Sequence, residues 1–94
     1  MNAFAVVYLR GPKWDAQRRF HEQDGVGRHR DFLAQQHKEG RLIVGGPFLD
    51  DTGGLAVYRA ESAQELEAVI ASDATVKEGL LRYEMHPYIV AFQS

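Results

Sequence analysis

The chain has no cysteine. Disulfides and thiolate metal sites are therefore excluded, and a reducing, cytoplasmic setting is the expectation. No apolar run approaches the ~20 residues of a membrane helix. The first residues, Met1 to Leu9, carry no basic start and are too short for a signal segment with its cleavage site. Strong charge is missing too. A net charge of −2 gives no case for a nucleic-acid partner. There is no internal repeat and no low-complexity segment. With 94 residues, a second core is excluded, since it would need roughly 50 more. One domain over 1–94 is expected. A chain this short buries only about 60–65% of its unfolded surface, so a partner chain would help its stability.

What charge there is lies unevenly. Residues 10–30 hold Arg10, Lys13, Arg18, Arg19, Arg28 and Arg30 against Asp15, Glu22 and Asp24. A local positive field in an acidic chain suits a small anion better than a polymer. The plainer reading is a solvated charged loop.

Residues 3–10 alternate with apolar side chains on both faces: Phe4, Val6 and Tyr8 on one, Ala5, Val7 and Leu9 on the other. This is a strand, and Gly11-Pro12 ends it. A polar loop over 11–24 holds Trp14. A helix from Val26 to Glu39 follows, with Gly40 as its stop. Leu42-Ile43-Val44 reads as a short strand that Gly45-Gly46-Pro47 breaks, and Asp50 to Gly54 completes a hairpin loop. Leu55 to Arg59 is a third strand. Ser62 and Glu65 form a capping box for a helix to Ser72. A short helical piece spans Val76–Leu80. The last strand covers 82–92, and its Pro87 argues for an edge or a bulge.

The order is βαββαβ, a ferredoxin-like α+β fold: a four-stranded antiparallel sheet with two helices on one face. The other face would then be bare, yet the strands are apolar on both sides. Leu42 and Val44 oppose Ile43; Tyr88, Val90 and Phe92 oppose Ile89 and Ala91. A bare apolar sheet is an unusually large exposed patch. A homodimer joined through the sheet faces removes it from water.

His29 lies at i, i+3, i+4 with Phe32 and Leu33 and so points toward the sheet. Asp73 continues the face of Leu66, Val69 and Ile70, and an acid there is costly without a partner. The two helices are antiparallel. His29 near the start of one and Asp73 at the end of the other therefore share one end of the domain. Trp14, Arg18, Arg19 and the Gly-Gly-Pro turn reach that end as well. An imidazole oriented by a carboxylate is a general base for neutral pH. A structural His–Asp hydrogen bond is the competing reading. Arg19 would hold an anion, Gly46 and Pro47 would let a ligand approach the backbone, and Trp14 would serve as a lid or a dimer-edge anchor.

Other histidines carry less. His21 sits in the basic loop and reads as exposed. His37 is roughly 12 Å along the helix from His29, too far to share a metal. His86 is a candidate for the dimer interface. No H-E-x-x-H, facial triad or Cys/His cluster is present, so no metal is expected.

Together, His29, Gly40-Arg41-Leu42, Gly46-Pro47, Asp73 with Gly79, and Glu84-Met85-His86-Pro87-Tyr88 resemble the YCII-related (YciI-like) family, over about residues 3–92. The resemblance implies a dimeric α+β barrel of ferredoxin-like subunits and a His–Asp active site, here His29 and Asp73. The family usually has Asp-Pro at the second position, where this chain has Ala74. The expected function is a cofactor-independent lyase or isomerase, dehydrochlorinase-like, moving a proton on a small anionic molecule, aromatic or enolisable. The alternatives are a non-catalytic ligand-binding dimer or a cofactor-free monooxygenase of the same architecture.

Overall fold

The computed structural model describes residues 2–94; Met1 lies outside them. Strand β1 (Asn2–Arg10) is followed by a 3₁₀ turn (Phe20–Glu22) and helix α1 (Val26–Lys38). Next come β2 (Leu42–Pro47), β3 (Gly53–Ala60), α2 (Ala63–Ile70), the single-turn α3 (Ala74–Lys77) and β4 (Leu81–Tyr88). The strands form one antiparallel sheet in the order β2-β3-β1-β4. Among the described residues no helix is long and apolar enough to cross a membrane.

The alternation in β1 sorts its side chains as expected. Phe4, Val6 and Tyr8 are buried, and opposite them on β3 so are Ala56 and Tyr58. Leu66 and Ile70 of α2 close over this face, with Leu80 and Leu81 at the start of β4. Burial of such side chains is the main favourable term in folding, roughly 1.5–3 kcal/mol for each large one.

Strand boundaries differ from expectation, and β3 starts at Gly53 instead of Leu55. Gly45, Gly46 and Pro47 do not break β2; they continue it, pairing with Ala56, Leu55 and Gly54. β2 lies at the sheet edge, where a proline costs no ladder hydrogen bond. At the other edge, β4 ends at Tyr88, short of the expected 92. It pairs with β1, and the register Ala3↔Tyr88 exhausts that partner. Pro87 sits on this edge strand, as expected. Ile89 and Phe92, at 83% and 97% exposure, then project beyond the sheet.

The faces of β2 also differ. A bulge between Leu42 and Val44 pairs Leu42 with Tyr58 but Val44 with Val57. Neighbours on β3 point to opposite faces. Leu42 and Val44 therefore lie on opposite faces, not on one.

The loop after β1 is ordered by its own polar groups. The Gln23 side chain is buried, accepts from the Asp15 N–H and donates to the carbonyls of Asp15 and Arg18. Gly11 meets the α3–β4 turn so closely that a side chain there would run into the Gly79 carbonyl. Gly11 N–H donates to Leu80 O and Lys13 N–H to Gly79 O. The start of this loop is thereby stitched to the end of α3.

A candidate active site between helix α1 and the sheet

α2 ends at Ile70, and Asp73 does not extend its apolar face. It caps α3 instead. Its Oδ1 accepts from the Thr75 N–H at 2.9 Å and the Thr75 hydroxyl at 2.7 Å. The short helix therefore starts at Ala74, two residues earlier than expected, because Asp73 supplies the cap. Gly79, at φ +85, follows it. At α2, the Ser62 hydroxyl accepts from the Glu65 N–H, which is one half of the expected capping box; the return bond from the Ser62 N–H to the Glu65 carboxylate is absent among the described residues.

The second oxygen of Asp73 meets His29. Nδ1 and Oδ2 are 2.6 Å apart, with His29 6% exposed and Asp73 0%. Three donors thus converge on a fully buried carboxyl group. An ionised carboxylate only accepts, so against an ionised Asp73 it is Nδ1 that donates, and a neutral imidazole in that tautomer has its lone pair on Nε2. The Tyr8 ring packs edge-on to the imidazole, with centroids 4.6 Å apart. The Tyr8 hydroxyl is 2.6 Å from that of Tyr58. Burial raises the Tyr58 phenol to about 12, with the Asp73 charge adding to the rise. Burial pushes Tyr8 up as well. Both stay neutral phenols at physiological pH.

Outside this layer an ion pair fixes the approach of α1. Arg28 reaches Glu78 with both guanidinium nitrogens, at 2.6 and 2.5 Å. It joins the first turn of α1 to the residue after α3, next to the two elements that carry His29 and Asp73.

A cavity of about 670 Å³ opens between α1 and β2. His29 and Tyr8 form part of its wall, beside a space that admits a small molecule. Gly46 and Pro47 line it too, as β2 backbone and not as a tight turn. Trp14 and Arg19 do not. Trp14 stands behind Phe20, ring to ring at 5.2 Å and nearly perpendicular, with the Arg10 guanidinium over its other side. Phe20 is what reaches the cavity. Arg19 is spent on Asp51: its Nε is 2.9 Å from Oδ2, while Oδ1 accepts from the Phe20 N–H. The Arg19 guanidinium holds the Asp51 carboxyl below the usual carboxylate range. This pair ties the β2–β3 hairpin to the 3₁₀ turn.

Three further side chains stand on the cavity wall: His21, Arg30 and His37. Arg30 and His37 are signalled by spacing along α1, where residues 27, 30, 34 and 37 share a stripe; His21 lies in the 3₁₀ turn, outside it. His86 lies on β4 near Glu84, at 3.9 Å, away from the cavity. No cluster of three or more metal-ligating side chains occurs among the described residues.

The YCII-related domain model matches residues 6–89. The chain belongs to the YCII-related family. A member of comparable sequence is the uncharacterized protein YjpA of Bacillus subtilis (strain 168), 39% identical over 57 residues, which are 61% of this chain and 67% of that one. Among solved structures, the fold matches 5-chloro-2-hydroxyhydroquinone dehydrochlorinase (TftG) from Burkholderia phenoliruptrix AC1100 in complex with 2,5-dihydroxybenzoquinone. The TM-score is 0.60 at 20% identity, over 92% of this chain and 93% of that one. At that identity the likeness establishes the fold, not the reaction.

Proposed function

We propose that this YCII-related protein is a cofactor-independent lyase or isomerase acting on a small, flat, anionic molecule. His29 is its general base and Asp73 its positioning residue. One observation carries the reading: the His29–Asp73 hydrogen bond of 2.6 Å is buried on its Nδ1 side, while the ring lines a cavity of about 670 Å³. A proton taken up at Nε2 makes an imidazolium, which the Asp73 carboxylate stabilises. The likeness in fold to TftG, a dehydrochlorinase solved with a flat oxygenated ring, supports an elimination-type reaction.

The experiment is a thermal-shift screen of small aromatic acids, followed by product analysis of the hits. A ligand at 100 times its Kd adds about 2.7 kcal/mol of stability. His29→Ala should abolish turnover of the identified substrate and leave the circular dichroism spectrum unchanged. Full activity in that variant would sink the assignment. Binding without product in the native protein would favour a non-catalytic ligand-binding module.

The working unit in this proposal is a dimer. Val44, Leu55 and Val57 lie on the sheet face away from α2, and Val44 and Leu55 are left 59% and 38% exposed. Packing this face on a second copy buries them. Light scattering should give a mass of two chains, and a persistent monomer would contradict it.

A further inference from the structure

Gly27, Arg30, Ala34 and His37 fall at i, i+3, i+7 and i+10 on α1, and all four line the cavity. Gly45, Gly46 and Pro47 of β2 line it too. Two of these glycines have no conformational reason to be glycine. Neither Gly27 nor Gly46 has a positive φ. A Cβ built at either one meets nothing within 4 Å. Gly27 sits in the first turn of a helix, where glycine is the worst ordinary choice. Gly27 trades helix stability for empty space beside the cavity, whereas Gly46 pairs with Leu55 and its open side is the other face of the sheet. By contrast, a Cβ at the neighbouring Gly45 would crowd the Leu42 side chain at 3.3 Å.

Arg30 stands out in charge. Each of the other seven arginines makes a hydrogen bond or an ion pair. Arg30 has neither among the described residues. Among the described residues no acidic side chain lines the cavity, whereas His21 and His37 do. The wall is therefore apolar except for the phenol of Tyr8, three imidazoles and one unspent guanidinium. A guanidinium with no competing carboxylate recognises an oxyanion through paired N–H donors.

We propose that Arg30, and not Arg19, anchors the acidic group of the ligand, and that its flat ring lies in the gap kept open by Gly27. The anchor deepens the reading given under Proposed function. It rests on that reading for the choice of cavity but not for any catalytic step.

The probe is salicylate, titrated by calorimetry into the full-length protein, with uncharged salicylamide as its match in shape. The native protein should bind salicylate. Arg30→Gln should weaken salicylate about tenfold, the equivalent of one hydrogen-bonded charge partly open to water, and leave salicylamide unchanged. Arg19→Gln should leave salicylate binding unchanged. Gly27→Ala should raise the melting temperature, through better helix propensity, and weaken both ligands together. No salicylate binding at millimolar concentration, or an Arg30→Gln affinity within twofold of native, overturns the anchor. Gly27→Ala with native affinity for both ligands overturns the gap. His29→Ala separates the two readings. If it keeps turnover while Arg30→Gln still weakens salicylate, the catalytic assignment fails and the anchor stands. If it loses turnover while Arg30→Gln binds normally, the reverse holds.

Discussion

Along α1, the side that carries Arg28 and His29 is tied to the α3 segment through Glu78 and Asp73. The side that carries Gly27, Arg30 and His37 faces the cavity. On the first side every oxygen of a buried carboxyl group is used, and among the described residues no buried side-chain polar atom lacks a partner. On the second, Gly27 leaves room and a guanidinium stands unpaired. One helix thus divides its labour. The tied side fixes where the imidazole sits, and the open side gives up stability so that something else can enter. Such a division is what a binding or catalytic site requires, since strain and unspent groups are tolerated only where the surrounding structure is over-determined.

Breaking the tied side should have the largest effect. Asp73→Ala removes the partner of His29 Nδ1 and both acceptor contacts of Thr75. Removing one member of a buried pair costs roughly 3 kcal/mol or more, because the group left behind is unpaired and dry. Urea unfolding should show that loss with an unchanged slope. A loss under about 1 kcal/mol, within the range of an exposed ion pair, would mean that the pair is not locked as described.

The tyrosine pair behind the imidazole gives the next effect, and its sign follows from burial. The unfolded chain ionises its phenols near the usual value of about 10, but the folded protein holds Tyr58 up to about 12 and Tyr8 raised as well. Their contribution to stability is therefore complete below pH ~10 and is lost as pH rises through the folded values. Tyr8→Phe and Tyr58→Phe together should flatten that alkaline loss. Tyr8→Phe alone should cost about 1–2 kcal/mol at neutral pH, since it leaves the Tyr58 hydroxyl buried without its partner. Equilibrium unfolding between pH 8 and 12 reads both. A double variant that declines as steeply as the native protein would show that other groups govern the alkaline limit.

Much of this architecture was legible before any coordinates. The βαββαβ order and the two-sided apolar character of β1 follow from period-2 patterning. The meeting of His29 and Asp73 follows from two antiparallel helices. The misses share a physical cause, because each depends on a partner far away in sequence. Nothing local to Trp14 says that Phe20 will stand between it and the cavity. Nothing local to Arg19 says that Asp51, 32 residues on, will claim it. The run Leu42-Ile43-Val44 reads as continuous strand, and only its pairing with β3 exposes the bulge. Likewise, 89–92 has strand composition but no neighbour to pair with once β1 ends. Arg30 was visible on its stripe; what the sequence could not show is that the other arginines would all be spoken for.

The smallest effect sharpens the tied side further. Ala74 occupies the first position of α3, just after the Asp73 cap. Proline suits that position, since its missing N–H has no helical acceptor there and its fixed φ already matches the helix. The residue before a proline must be extended, and Asp73 is, at φ −67° and ψ 120°. Ala74→Pro should therefore stabilise the protein by about 0.4–1 kcal/mol through the unfolded chain alone. It touches neither the cavity nor the His29 ring, so salicylate affinity should stay at the native value. If stability falls instead, the Asp73 backbone is held less firmly than its three hydrogen bonds imply. If stability rises and affinity changes with it, the two sides of α1 are coupled through the Asp73 turn and the division between them is not clean.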